Sequence, residues 1–221
     1  MNTTISATMQ RYTAEIYRLQ QDHPIVSLKH LGENIGSSSQ AISRMMGRLK
    51  NAGLLNHEAY QGMYLTEAGE HAAMPALRRH RLSEVFLVKI MGYDWADAHE
   101  LTDVFELGVN QDIEDRMDEL TGYPTHCPHG EPIPTKHGEV TYPNDVCMID
   151  VGSGIEGVIT RVRTHDMDKL RYIAEIGVLP GVRFSLLSCA PFQGPLRITI
   201  NGFDQVIGYE LAKELWVEVA S

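Results

Sequence analysis

The fold class that this sequence predicts is α+β, built from three modules: an N-terminal winged helix-turn-helix, a helical dimerisation and metal-binding middle, and a C-terminal SH3-like small β-barrel. Three observations carry that prediction. Two short, capped helix patterns joined by a Gly/Ser turn fill Ser27–Ala52. Residues 78–107, RRHRLSEVFLVKIMGYDWADAHELTDVFEL, set histidines and carboxylates at helical spacing on either side of a Gly92–Trp95 break. From Val146 onward the apolar period falls to two, in short runs separated by Gly, Pro and Asn. The expected boundaries are 1–70, 71–131, a linker over 132–145, and 146–221.

Composition restricts the function classes. A chain of 221 residues has room for one large domain or two to three small ones with real cores. No run approaches the roughly 18 apolar residues of a membrane span, and no basic-then-apolar leader opens the chain. Cys127, Cys147 and Cys189 are odd in number and irregularly spaced, which argues against a disulfide framework; a cytoplasmic location is expected. The net charge of −10 is unevenly spread. Residues 1–70 hold six Lys/Arg and six Asp/Glu, residues 71–125 five against eleven, and the remainder eight against twelve. The first third is therefore free to face a polyanion, and the acidity lies where cations would be held.

In chain order, Met9, Tyr12, Ile16 and Leu19 mark the buried side of a helix over 7–22, ended by Pro24. Ser27 caps a short helix closing near Gly36, and Ser37–Ser39 cap a second, Gln40 to Ala52, closed by Gly53. That second helix turns Ile42, Met45, Met46 and Leu49 inward. Ser38, Ser39, Gln40, Ser43, Arg44 and Arg48 are left outward, side chains able to read major-groove base edges or to hold phosphate. Leu54 to Thr66 alternates about a Gln61–Gly62 turn, the pattern of a β-hairpin wing.

Helix is expected again from Glu67 to about Met91, and from Ala96 to Leu120 until Gly122 and Pro124. His80 and Glu84 share one helical face, as do His99, Asp103 and Glu106. Cys127 and His129 stand two apart in a Pro-rich loop, THCPHGEPIPTK, whose extended backbone can aim both at one ion; His126 and His137 read as solvent-facing. Apolar positions Val85, Phe86, Val88, Ile90, Val104, Phe105 and Val109 exceed the needs of one small domain, so part of that surface is expected to bury against a second subunit. CMIDV, GVITRVR, VRFSLL, LRITIN and WVEV read as five strands, with DKLRYIAEI as a helix between two of them.

RRHRLSEVFL (78–87), YPTHCPHGEPIP (123–134) and RVRTHDMDKLRYIAEIGVLPG (161–181) together resemble the diphtheria-toxin-repressor family of metal-dependent transcriptional repressors, from the first helix to the last strand. The resemblance is to its manganese-responsive branch with a C-terminal FeoA-type domain. It implies a homodimer on a palindromic double-stranded DNA operator, repressing metal-uptake genes under Mn²⁺ or Fe²⁺, with Zn²⁺, Co²⁺ or Cd²⁺ able to substitute in vitro. One family metal site falls on His80, Glu84, Cys127 and His129, with a barrel ligand at His165 or Asp166, and His99 matches a further ligand of some relatives. The second falls on Arg11, Asp103, Glu106 and Leu107. Asp103 and Glu106 are oxygen donors, whereas a guanidinium and an isobutyl group cannot bind a cation. At Arg11 a salt bridge to the two carboxylates would replace the ion's charge, with Leu107 packed beside it, unless Glu15 supplies the missing ligand. Two other classes compete with this regulator that is not an enzyme: a metal-insensitive DNA-binding or architectural protein with a vestigial site, and a metallohydrolase. No organic substrate is expected.

Overall fold

The structure, a computed structural model, describes residues 5–58 and 62–220. It divides into two compact units: one runs to Arg79 and includes Pro134–Glu139, and the other comprises His80–Ile133 and Val140–Ser221.

In the first unit, α1 (Ala7–Gln20), α2 (Leu28–Ile35) and α3 (Ser39–Asn51) are followed by β1 (Leu55–Glu58) and β2 (Gly62–Leu65). Each helix begins on a serine whose hydroxyl accepts a backbone N–H three residues on: Ser6 from Met9, Ser27 from His30, Ser38 from Ala41. Gly36, at φ +65°, ends α2 in the left-handed conformation that lets the chain turn straight into α3. β1 and β2 pair antiparallel from Leu55↔Leu65 to Glu58↔Gly62. Gln61 lies outside the described residues; Gly62 opens β2, where a Cβ would stand 2.5 Å from the Val26 carbonyl oxygen. Ile42, Met45, Met46 and Leu49 are buried as expected, with Met9, Tyr12, Ile16, Leu31 and Met63 completing the core, while Leu19 is only partly covered.

α4 (Glu67–Lys89) contains Pro75, and the division into units falls within it, after Arg79. Asp94 caps α5 (Trp95–Phe105), accepting from the Asp97 N–H. The single helix expected over 96–120 is in fact two. A 3-10 turn, Glu106–Gly108, leads to Val109 in extended conformation, and Asn110 then caps α6 (Gln111–Thr121) by accepting from the Ile113 N–H. The short Asn side chain offers the backbone a fresh start that the apolar periodicity conceals.

The remainder is a six-stranded antiparallel sheet ordered β3-β8-β4-β5-β6-β7: β3 (Val146–Cys147), β4 (Ile155–Val162), β5 (Arg183–Cys189), β6 (Leu196–Ile200), β7 (Phe203–Ile207) and β8 (Leu215–Val219). Helix α7 (Met167–Glu175) follows β4, and α8 (Tyr209–Ala212) precedes β8. Alternation in β6 buries Leu196, Ile198 and Ile200 with Ile159, Leu170, Ile173, Phe184 and Val217 in one core. Five strands were expected and there are six. β7 is hydrogen-bonded to β6 only, with just Ile207 fully buried, so its apolar signal is weak. Asn201 (φ +52°) and Gly202 (φ +83°) form the tight turn that pairs β7 with β6. No helix among the described residues is long and apolar enough to cross a membrane.

Candidate metal centre

α4 carries His80 and Glu84 one turn apart, both buried. α5 brings His99 and Asp103, with Glu106 just past its end, and the loop after α6 brings Cys127 and His129. That loop is closed on itself, the Cys127 N–H donating to the Glu131 carbonyl and the Gly130 N–H to the Cys127 carbonyl, each at 2.9 Å. Its far side joins β4, where the Val162 N–H donates to the His129 carbonyl at 2.9 Å.

Glu84 stands at the centre. Its Oε1 lies 2.9 Å from His99 Nδ1, 3.4 Å from His129 Nδ1 and 3.5 Å from His80 Nε2. Cys127 Sγ lies 3.9 Å from His129 Nδ1. Two groups therefore overlap at one carboxylate, His80–Glu84–His99 and Glu84–Cys127–His129; in each, one donor atom per residue lies within 4.8 Å of the others. A third group is His80–Asp103–Glu106, in which the other ring nitrogen of His80, Nδ1, stands 3.0 Å from Glu106 Oε2 and 3.9 Å from Asp103 Oδ1. The sequence analysis placed His80 with Glu84, Cys127 and His129 only; here its ring also faces Asp103 and Glu106. His165 sits at the rim, with Nδ1 3.1 Å from His99 Nε2. Asp166, the other expected barrel donor, is used as the N-cap of α7, accepting from Asp168 and Lys169. Leu107, expected to pack beside Asp103 and Glu106, is 69% exposed.

The electrostatics ask for a cation. Burial alone would raise the Glu84 carboxyl, but the facing His129 and hydrogen bonds from His129, His80 and His99 hold it well below its usual range. Burial, then the Glu84 charge, pushes the Cys127 thiol well above its own. An anionic carboxylate beside a thiol that resists ionisation is relieved by a positive ion between them, which is what makes a thiol a ligand. His129 Nε2 is buried without a hydrogen-bond partner, an uncommon state for an imidazole nitrogen. The donor separations suit groups sharing one small ion at about 2.0–2.3 Å from each. Imidazole, carboxylate and thiolate together fit manganese, iron, cobalt or zinc, so the residues fit a divalent metal.

Sequence reasoning missed Trp95, whose ring stacks on His129 at 4.8 Å between centroids, and Glu131, which lies among three arginines. His126 and His137 are exposed as expected. In the first unit Ser38, Ser39, Gln40, Ser43, Arg44 and Arg48 are all exposed along the α3 face, with the Ser38 hydroxyl engaged as cap. Of the apolar residues expected to meet a second subunit, Val85 and Val109 are buried within the chain's own clusters, Val88 packs against the sheet core, and Phe86 stacks on Phe105 at 6.1 Å. Val104 stays 75% exposed and Ile90 48%. Leu101, Leu107, Ile113 and Leu120 add to the apolar surface of α5, the turn and α6.

Three family profiles match in succession: the iron-dependent repressor N-terminal DNA-binding domain over residues 4–63, the iron-dependent repressor metal-binding and dimerisation domain over 66–135, and the FeoA domain over 148–219. The iron-dependent repressor IdeR of Mycobacterium tuberculosis is 27% identical over 99% of both chains. A solved manganese-dependent transcriptional repressor in complex with manganese superposes at a TM-score of 0.87 with 33% identity, over 95% of this chain and 98% of its own. The structure of ScaR with bound Cd²⁺ superposes at 0.79 with 27% identity, over 95% of this chain and 98% of its own.

Proposed function

We propose a function from one premise: the chain belongs to the iron-dependent repressor family, the metal-dependent transcriptional repressors that include the diphtheria toxin repressor. In the proposal a homodimer uses α3 to read a palindromic operator of metal-uptake genes, and does so when Mn²⁺ or Fe²⁺ is plentiful. The observation that carries it is the Glu84 carboxylate ringed by His80, His99 and His129, with the Cys127 thiol alongside. Those five residues are the proposed ligands, with His165 at the rim; Asp103 and Glu106, facing the other nitrogen of His80, are the proposed donors of a second position. When bound, an ion would supply positive charge shared by the Glu84 carboxylate and the Cys127 thiol. The ligands come from α4, α5 and the loop tied to β4, so an ion that holds them together favours one arrangement of those elements. A tenfold preference for the DNA-competent arrangement corresponds to about 1.4 kcal/mol per site. The reading needs no catalysis and no organic substrate.

Its test is metal content and operator binding measured on one anaerobic preparation loaded with Mn²⁺, Fe²⁺ or Zn²⁺. Metal bound with no gain in operator affinity would leave a metal-insensitive DNA-binding protein instead. Two further results are expected. Gln40→Ala should lower discrimination between operator and random duplex by about 1–3 kcal/mol, while Arg48→Ala should weaken all duplexes alike and reduce the salt slope by about 1. Competition binding at several salt concentrations separates the two, and parental behaviour in both would remove α3 from the groove.

The subunit interface is proposed on the exposed apolar residues of α5 and α6. Val104→Asp sets a charge at the most exposed of them, and is expected to shift the dimer to monomer in sedimentation and to lower operator affinity by tenfold or more, since two half-sites would no longer be read together. A dimer unchanged in Val104→Asp would move the interface elsewhere.

A further inference from the structure

The Glu131 carboxylate, beside the centre, faces three arginines rather than a metal donor. Its Oε2 lies 3.0 Å from Arg81 Nη2, and its Oε1 3.2 Å from Arg161 Nη1 and 3.8 Å from Arg163 Nε. Arg81 is the neighbour of His80 on α4, and it also donates to the Pro132 carbonyl. Arg161 and Arg163 flank Val162, the β4 residue whose N–H holds the His129 carbonyl. Arg161 is itself fixed on its far side: Nε and Nη2 donate to Asp145 at 2.8 and 2.7 Å, and its guanidinium lies over the Trp216 ring at 4.7 Å. The side chains of Arg81 and Arg161 are 6% and 5% exposed.

Burying so many charges adds little stability compared with apolar packing; the role such networks are best attested in is setting the register of the groups that carry them. Here three things are registered: the helix that carries His80 and Glu84, the loop that carries Cys127 and His129, and the strand behind the loop. Resting on the metal-centre reading above, we infer that Glu131 is a positioning residue of that centre. Its carboxylate ties Arg81 to Arg161, holds the loop at the distance from α4 that a shared ion requires, and makes β4 the rigid backing of the site. The sheet is then a working part of the metal centre through Arg161 and Arg163, over and above His165.

The test uses Co²⁺ as probe on the full-length protein, read by its sulfur-to-cobalt charge-transfer absorption and by calorimetry. In the parent, Co²⁺ is expected to bind with a thiolate band from Cys127. Glu131→Gln removes the charge and keeps the shape; it should weaken Co²⁺ about 10–100-fold and diminish the band at saturating Co²⁺, a spectral change that mere loss of stability would not produce. Asp145→Asn serves as comparison: it disturbs the same buried network but leaves Glu131 and its tie to Arg81 in place, so it should cost clearly less affinity and band than Glu131→Gln. If Glu131→Gln does not fold, Glu131→Asp, with the charge kept and one carbon fewer, carries the test and should show a weakened band. Parental affinity and band in the Glu131 variant that folds, or equal losses in Glu131→Gln and Asp145→Asn, would overturn the inference while leaving the metal centre standing. A parent that binds no Co²⁺ would overturn both.

Discussion

Glu84→Gln is expected to have the largest effect of any single substitution at the centre: loss of bound metal from both groups that meet at this carboxylate, with affinity falling roughly a hundredfold or more. The amide keeps the volume of the side chain but offers one oxygen and no charge. His80, His99 and His129 would then surround a neutral group, and Cys127 would lose the partner with which it shares a cation. Metal content by elemental analysis after dialysis gives the direct reading, and metal-dependent operator retention gives the functional one. Parental metal content in Glu84→Gln would show that the ion is held elsewhere, with the Asp103–Glu106 cluster the first place to look.

The second large effect is expected at Gly130, and it arises from the backbone. This residue has φ +85°, and a Cβ here would stand 1.9 Å from the Thr160 carbonyl oxygen and 2.9 Å from Arg161 Cα. Gly130→Ala therefore meets two obstacles, a left-handed conformation and a backbone wall that no rotamer change can relieve. The loop has to move off β4, breaking the bond between Val162 and His129. We expect a loss of about 3 kcal/mol, seen as a fall of roughly 6–12 °C in the metal-free melting temperature, together with weakened metal binding. A melting curve that coincides with the parent's would mean that the loop and β4 separate readily in solution, contrary to the close packing described.

Much of this architecture could be read locally. Ser27, Ser38 and Gly36 announce α2 and α3 because caps act within three residues of themselves, and the inward residues of α3 follow from one helical period. His80 and Glu84 were legible for the same reason. The break between α5 and α6 was not, because Val104, Phe105 and Val109 keep a helix-compatible spacing across it; the available signal was Gly108 followed by a capping Asn110. β7 was hidden by the opposite problem, a strand with too little buried surface to show a pattern. Glu131 and Arg161 are 30 residues apart and meet only in the folded chain. The pairing of ionic groups has no period, so nothing in the spacing could have found it. His80 fell between these cases: one face was visible from Glu84, while the other depends on how α5 approaches α4.

That second face of His80 has a chemical consequence. A neutral imidazole has one lone pair and one proton, and here its two nitrogens are directed at different carboxylates, Nε2 at Glu84 and Nδ1 at Glu106. When Nδ1 keeps its proton and donates it in a hydrogen bond to Glu106, the Nε2 lone pair faces Glu84 and would be available to an ion there; the opposite tautomer would serve the Asp103–Glu106 pair. A single ring therefore sets an exchange between the two clusters, and His80 counts as a donor to one of them at a time.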